Sequence, residues 1–471
     1  LVTARQGIEV GARPGVAASI SVDGNMIVSG ITTFGGAISG TTATFSGAIS
    51  GDGSGLTGVA STDNIRTNTN ATFLQNINVS GIATVGSAVT ISESGIEATG
   101  VGITVANING GQIGGRRNKI YNGAMLVDQR NAGSSTNIEG NTTKYHLDRF
   151  SIQGASLDEL SAGVTQDTDA PDGFAYSLKV TVNTPESSIA ANEFVSLYQK
   201  MEGQDFQDLA YNTSGAKDIT MSFYVKSSIT GTFGFTIYRD EPGTDRIVNK
   251  FYTINSANTW ERKVITIAGD TGKGIQNTNG AVWWNCWHLA AGSNYTSTVS
   301  GVWQNYVTTN WVGQESGAAP TNAVITTNGA TWAVTGVQLE TGSQATEFEH
   351  STYQEEIQRC YRYYYKVQPA SGAYFGSGFW YNSNSFICHI DFPVVMRTNA
   401  TALEQSGTAS HYKVISNATT YTCSSAPSFL GDPNNTSQSV NFTFSGSGTQ
   451  GQGGLGRSGN SNAYLAWDTE L

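Results

Sequence analysis

Acid–base or metal chemistry in this chain would begin with its histidines, His146, His288, His350, His389 and His411. None has a second histidine or a cysteine three to five residues away, the spacing that brings two such ligands onto one zinc ion. No G-x-S-x-G turn is present to expose a nucleophilic serine. A glycan hydrolase needs two carboxylates roughly 5 to 9 Å apart in a groove, a pairing that would have to come from distant parts of this chain. QDTDAPDG at 166–173 gathers Asp167, Asp169 and Asp172 in one loop, and a Ca²⁺ ion takes oxygen ligands so spaced. The loop lacks the distal glutamate of an EF-hand, and Pro-Asp-Gly is itself a turn sequence, so no metal is expected. GSGLTG at 53–58 and GSGTQG at 446–451 fit G-x-G-x-x-G, but neither opens a helix, and a chain with 56 glycines yields such matches by chance. Cys286, Cys360, Cys388 and Cys423 form no C-x-x-C pair and read as buried thiols. The chain is expected to be no enzyme and to need no cofactor.

Aromatic rings offer a different chemistry, stacking on the apolar faces of sugars. Trp283, Trp284, Trp287, Trp303, Trp311 and Trp332 crowd one stretch. In VWWNCWH, strand alternation puts Trp283 and Trp287 on one face and Trp284 and His288 on the other, so about half of these rings must be core. Trp303 and Trp311, in the loop-rich stretch 292–330, are candidates for a ligand. Further on, AYFGSGFWY at 373–381 sets Tyr374, Phe375, Phe379, Trp380 and Tyr381 around two glycines, with Asn382 beside them to hydrogen-bond a saccharide or a protein. The competing reading of each ring is a core strand.

Strands must position these rings. From Lys119 to His350, aromatic strand-like runs at Tyr176–Val182, Phe194–Tyr198, Ile219–Val225, Thr232–Arg239, Ile247–Ile254, Lys263–Ile267, Val282–Leu289 and Trp332–Leu339 alternate with turn sequences. The pattern predicts a jelly-roll-like β-sandwich. Residues 351–367 form a helical neck: Ser351 or Thr352 can cap its start, with Gln354 or Glu355 three residues on, Glu355 and Arg359 make an i,i+4 pair, and Tyr353, Ile357, Cys360 and Tyr364 a heptad stripe. So short a helix needs a partner, either the adjoining domain or its own copies around an axis. Residues 368–471 return to β texture as a tip domain, with strands at Tyr374–Tyr381, Ser385–Phe392, Tyr412–Ile415 and Val440–Phe444 and a glycine-rich loop at Ser445–Gly459.

Residues 1–118 differ in kind. They are rich in Gly, Thr, Ser, Ile and Val, and TTFGGAISG at 32–40 repeats as ATFSGAISG at 43–51. Phe34 recurs as Phe45 and Ile38 as Ile49. A unit with so few apolar residues cannot enclose its own core, so this segment reads as a β stalk in which these four residues pack against identical chains. An all-β, homotrimeric fibre follows: intertwined stalk, sandwich, neck, tip.

Bulk properties narrow the partners. Of 471 residues, 38% are hydrophobic and only 13% charged; the net charge of −11 argues against nucleic acid, which needs clustered Lys and Arg. No apolar run reaches the length that spans a bilayer. The first residue is Leu1 rather than Met, so an attachment region is expected before it.

LVTARQGIEV at 1–10, GDGSGLTGV at 51–59 and the SGI-T-F repeats resemble the shafts of tail fibres from phages of marine cyanobacteria. NKIYNGAMLVDQRN at 118–131, YHLDRF at 145–150 and VTGVQLETGSQATEFEHSTYQEEIQRCYRYY at 334–364 are similar to a sandwich module of many phage fibre proteins. FPVVMRTNA at 392–400 resembles an element of fibre tips, with Ala400 where proline is commoner. The resemblance implies a homotrimeric virion protein that joins other tail or baseplate proteins through the preceding region. Its tip would bind a host-surface glycan or outer-membrane protein and mediate adsorption. The alternative from another class is a tail spike that degrades capsule or lipopolysaccharide.

Overall fold

The computed structural model describes residues 8–10, 18–20, 26–28 and 116–471, apart from 139, 300, 315, 316, 432 and 447. The chain divides into two compact units, Leu1–Glu97 and Ala98–Leu471. In the first, the strands Ile8–Val10, Ala18–Ile20 and Met26–Val28 pair in sequence as an antiparallel meander, Ile8 opposite Ile20 and Ala18 opposite Val28. The stalk repeats, with Phe34, Ile38, Phe45 and Ile49, lie outside the described residues.

The second unit opens with a sandwich of two antiparallel sheets. One runs in the spatial order Glu261–Ile267, Ile219–Ser227, Thr331–Thr341, Ser177–Thr184, Ser161–Asp167, Thr136–Asn137. The other runs Gln304–Asn305, Arg246–Ile254, Gly231–Arg239, Ala281–Ala291, Phe194–Glu202, Phe150–Ala155, Thr142–Leu147. All eight strands read from sequence between Tyr176 and Leu339 are present, and the fold is the all-β, jelly-roll-like one expected. Their inward residues, among them Phe223, Phe235, Trp287 and Trp332, form one buried core between the sheets.

The three sequence stretches that mark this module explain one another. Glu349 accepts the backbone N–H groups of Arg117 and Asn118, and Glu356 that of Asn122 at 2.6 Å. Asp148 accepts the backbone N–H of Gln129 at 2.6 Å. Buried N–H groups need such acceptors, and each carboxylate fixes a segment remote in sequence.

The helix spans Tyr353–Tyr361 with the Thr352–Glu355 capping box in place. It is shorter than the pattern suggested, because Tyr364–Val367 leaves it to pair with Leu465–Asp468. Tyr364 is therefore a strand residue, buried together with Cys360 inside the chain's own fold, and neither is free to pack against other copies. Tyr353 stays exposed and Ile357 half-buried. Arg359 pairs with Glu356, one residue closer than Glu355, at 2.9 Å.

The tip is a seven-stranded antiparallel sheet, in the order Thr419–Thr422, Tyr412–Ser416, Gly453–Ser458, Tyr374–Asn382, Ser385–Asp391, Ser437–Thr443, Ser428–Phe429. A small sheet of Tyr364–Val367, Leu465–Asp468 and Glu404–Gln405 joins it. The expected glycine-rich loop thus holds a central strand. Its glycines are there for space: a Cβ on Gly456 would lie 3.0 Å from Cys388 Sγ and 3.3 Å from a Phe442 ring carbon. Arg149, wholly buried, ties sandwich to C-terminus through Glu470 and lies 3.4 Å from the Tyr363 ring centre.

Candidate functional site

Along Ala281–Ala291, alternation sends Trp283 and Trp287 into the core and Trp284, Cys286 and His288 to the outer face of the seven-stranded sheet. Antiparallel register then sets Lys200, Trp284 and Tyr238 in one row and Tyr198, Cys286 and Thr236 in the next. The segment following this strand folds back over the second row, where Trp311 and Val312 are buried.

Buried polar groups hold that segment down. Asn249 Nδ2 donates to the carbonyls of Asn310 (2.9 Å), Trp311 (3.3 Å) and Val312 (3.2 Å) and to Thr236 Oγ1 (3.1 Å). Thr236 Oγ1 donates to the Trp311 carbonyl and stands 2.9 Å from His288 Nε2, whose Nδ1 meets Ser196 Oγ at 2.7 Å. With the threonine proton committed, the imidazole donates from Nε2 and accepts at Nδ1, which is the neutral form. Burial lowers the His288 pKa to about 3.

Beside this anchor six rings surround a cavity of about 210 Å³: Phe194, Tyr238, Trp284, Tyr295, Tyr306 and Trp311. Edge-to-face packing holds them at steep angles, Tyr238 to Trp284 at 5.3 Å and 73°, Tyr238 to Tyr306 at 5.1 Å and 77°, and Phe194 to Tyr295 at 5.1 Å and 83°. The result is a cup. Trp311 is nearly buried and the other five are half-exposed. The polar tips are fixed: Tyr238 Oη donates to Asp245 at 2.7 Å and Trp284 Nε1 to the Ala281 carbonyl at 2.6 Å. Lys200 Nζ lies 4.0 Å from the centre of the Trp284 ring, and burial lowers its pKa below the ordinary lysine value. Apolar ring faces with a few fixed polar groups at the rim suit the C–H face of a sugar.

Of the residues singled out from sequence, Trp311 belongs to this cup. Trp303 does not; its Nε1 donates to the Ala268 carbonyl at 2.9 Å and its ring packs toward Trp283 and Arg239. At the tip, Tyr374, Phe379 and Tyr381 are exposed by 50%, 47% and 58%. Phe375 and Trp380 are core residues and no receptor contacts, for Trp380 is enclosed by Phe386, Tyr421 and Phe444. Asn382 is exposed, with its side-chain oxygen accepting the backbone N–H of Asn384 in the hairpin turn. Asp167 and Asp169 are engaged by Lys179 and Lys226 at 3.0 and 2.8 Å rather than gathered around a common point; Asp172 is exposed. Phe194, Tyr238, Tyr295 and Tyr306 went unnoticed as site residues, because the sheet register brings them together from separate segments.

No family model matches the sequence, and no curated protein matches it. Among solved structures, the enzymatically active domain of tailspike protein 4 of bacteriophage CBA120 is similar over 41% of this chain, at 12% identity and a TM-score of 0.23; the match spans 19% of that protein's chain. The family 11 carbohydrate-binding module from Clostridium thermocellum, in complex with a β-1,3-1,4-mixed-linked tetrasaccharide, matches 46% of this chain and 98% of its own at 8% identity and a TM-score of 0.23. The CBM22-1 xylan-binding domain from Paenibacillus barcinonensis Xyn10C matches 46% and 99% at 13% identity and a TM-score of 0.20. At these TM-scores none of them positions a ligand on this chain.

Proposed function

We propose that this chain is a homotrimeric phage tail fibre, a virion protein whose sandwich binds a host-surface glycan in the aromatic cup without cleaving it. The observation that carries the glycan half is the cup itself: six rings, five of them half-exposed, held open by a buried polar anchor. A single partly exposed ring is ordinary, but six rings converging on one cavity form the kind of apolar patch that marks a ligand site. The fibre half rests on the shaft and module stretches quoted above and on repeats too poor in apolar residues to bury themselves. Three copies on one axis would multiply a weak sugar contact by avidity. The exposed tip rings Tyr374, Phe379 and Tyr381 give a second surface for an outer-membrane protein.

Purified full-length chain added in excess to phage and host tests the reading. Blocked adsorption, trimer mass in sedimentation and no release of reducing ends from host polysaccharide are expected. A monomer in native buffer contradicts the fibre, unimpaired adsorption contradicts the receptor role, and released reducing ends establish the degrading spike instead.

A further inference from the structure

A second cavity, of about 360 Å³, opens at the side of the sandwich where Arg246–Ile254, second from the edge of one sheet, and Glu261–Ile267, the edge of the other, come together. Alternation places Arg246, Val248 and Lys250 on the same face of their strand, and all three line the cavity. Ala268, Gly269, Gly272 and Gly301 make parts of its wall small, so backbone is within reach there of anything that enters. Trp303 closes one side. The back of that ring is already used, against the Arg239 guanidinium at 5.2 Å and edge-to-face on Tyr211 at 5.9 Å.

The charges here are not equivalent. Arg246 is fully committed: Nε and Nη2 each donate to Asp270 at 2.9 Å, and Nη1 to Asn305 at 2.8 Å. Asp270 in turn receives Arg239 at 2.8 Å, and Arg239 also meets Glu241 at 2.9 Å. Lys250 is the exception. Half-buried, it has no hydrogen-bond or ion-pair partner among the described residues. Among the lining charges Arg246 is matched by Asp270, and no further carboxylate lines the cavity for Lys250, which stands beside an indole and glycine walls.

We propose that this cavity is a second saccharide site, distinct from the aromatic cup, and that it takes a sugar residue bearing a carboxylate. The ring of such a sugar has an apolar face for Trp303, its hydroxyls can donate to carbonyls of the glycine walls, whose Gly269 and Gly272 N–H groups are held by Asp218 and Asp270, and its carboxylate has Lys250. A neutral sugar would leave the ammonium unpaired, so the site selects by charge. Gln304–Asn305, the short strand between Trp303 and Tyr306, separates the two sites. The inference deepens the proposed glycan-binding role, and the test below keeps the two apart.

Titration calorimetry of the full chain with methyl glucuronide, methyl glucoside and acetate decides the matter, with Lys250→Gln and Tyr306→Ala as variants. The glucuronide is expected to bind, acetate and the glucoside far more weakly. Lys250→Gln should weaken the glucuronide roughly tenfold, since a hydrogen bond to a charged group contributes at least that much, with an unchanged melting temperature; Tyr306→Ala should leave it unaffected. No binding of the glucuronide, equal binding of the glucoside or of acetate, or indifference to Lys250→Gln would overturn the site. Loss in Tyr306→Ala alone would move the acidic sugar into the aromatic cup, overturning this inference while the proposed function stands.

Discussion

His288 and Thr236 meet on the outer face of the seven-stranded sheet, Nε2 to Oγ1 at 2.9 Å, and through Thr236 the histidine reaches the carbonyl of Trp311. The aromatic cup is thus set by a neutral imidazole that bonds Thr236 and also packs edge-to-face on Trp311, ring centres 5.8 Å apart. Protonation would force a second N–H onto Ser196, whose hydroxyl is within 2.7 Å of Nδ1.

Acid should therefore destabilise this face. The folded pKa of His288 is about 3, below its ordinary value of 6.5, so the unfolded chain binds the extra proton first. The stability held by the neutral histidine is complete above pH 6.5 and is lost as pH falls toward 3, at roughly 1.4 kcal/mol per pH unit. Denaturant titrations of wild type and His288→Gln from pH 7 to pH 4 check this. The stability advantage of the wild type should shrink on acidification; a constant difference would show that His288 does not titrate on unfolding.

Asn249 is the other half of the anchor, and Asn249→Ala strands the carbonyls of Asn310 and Val312 under the Trp311 segment, while that of Trp311 keeps Thr236. Buried acceptors left without donors cost about 1 to 3 kcal/mol. Urea midpoints should drop accordingly, and hydrogen exchange at residues 310–312 should rise. Unchanged exchange would mean that the segment is held by Trp311 packing alone.

Glu470 lies at the far end of the chain yet its carboxylate neutralises the buried Arg149. Glu470→Gln keeps the shape and removes the charge, leaving an uncompensated guanidinium. Losses of about 3 to 5 kcal/mol are usual for breaking such a pair. The loss should appear in unfolding of both the sandwich and the tip, monitored separately by limited proteolysis; loss confined to the tip would show that Arg149 is sustained by Tyr363 and the Lys200 carbonyl instead.

Two glycines on neighbouring strands of the tip sheet, Gly456 and Gly378, leave no free space for a Cβ. Gly456→Ala meets Cys388 and Phe442, and Gly378→Ala on the neighbouring strand runs into the Ile387 carbonyl. Overpacking of this kind costs about 1 to 3 kcal/mol, with Gly378→Ala the worse because backbone cannot swing aside. Thermal melts of the two variants should rank in that order.

The sandwich strands were legible because aromatic and β-branched residues alternate within them, and the split of Trp283 and Trp287 from Trp284 and His288 follows from that alternation alone. What alternation cannot say is which neighbours a face receives. Phe194, Tyr238, Trp284 and Tyr306 come from four strands or loops, and only antiparallel register puts them around one cavity. At the tip the same pattern misled: Tyr374 to Tyr381 alternates imperfectly, register shifts follow Tyr374 and Trp380, and Trp380 turns inward where an exposed ring was a candidate. Gly453–Ser458 looked like a loop because glycine reports flexibility in sequence and close approach in a packed sheet. Tyr364 continued a helical stripe on paper, but pairing with Asp468 won it for a strand.

The most direct test of glycan recognition is a tryptophan-fluorescence titration of the full chain with a panel of neutral oligosaccharides, repeated for Tyr306→Ala. Tyr306 lines the cup from outside the strands and is half-buried, so its removal should spare the fold. At least one glycan is expected to shift the wild-type emission and to bind the variant about tenfold or more weakly, as truncation of an interface aromatic commonly does, at an unchanged melting temperature. Binding of equal strength to both proteins would contradict the cup as the glycan site, and no binding to either would contradict glycan recognition by this face.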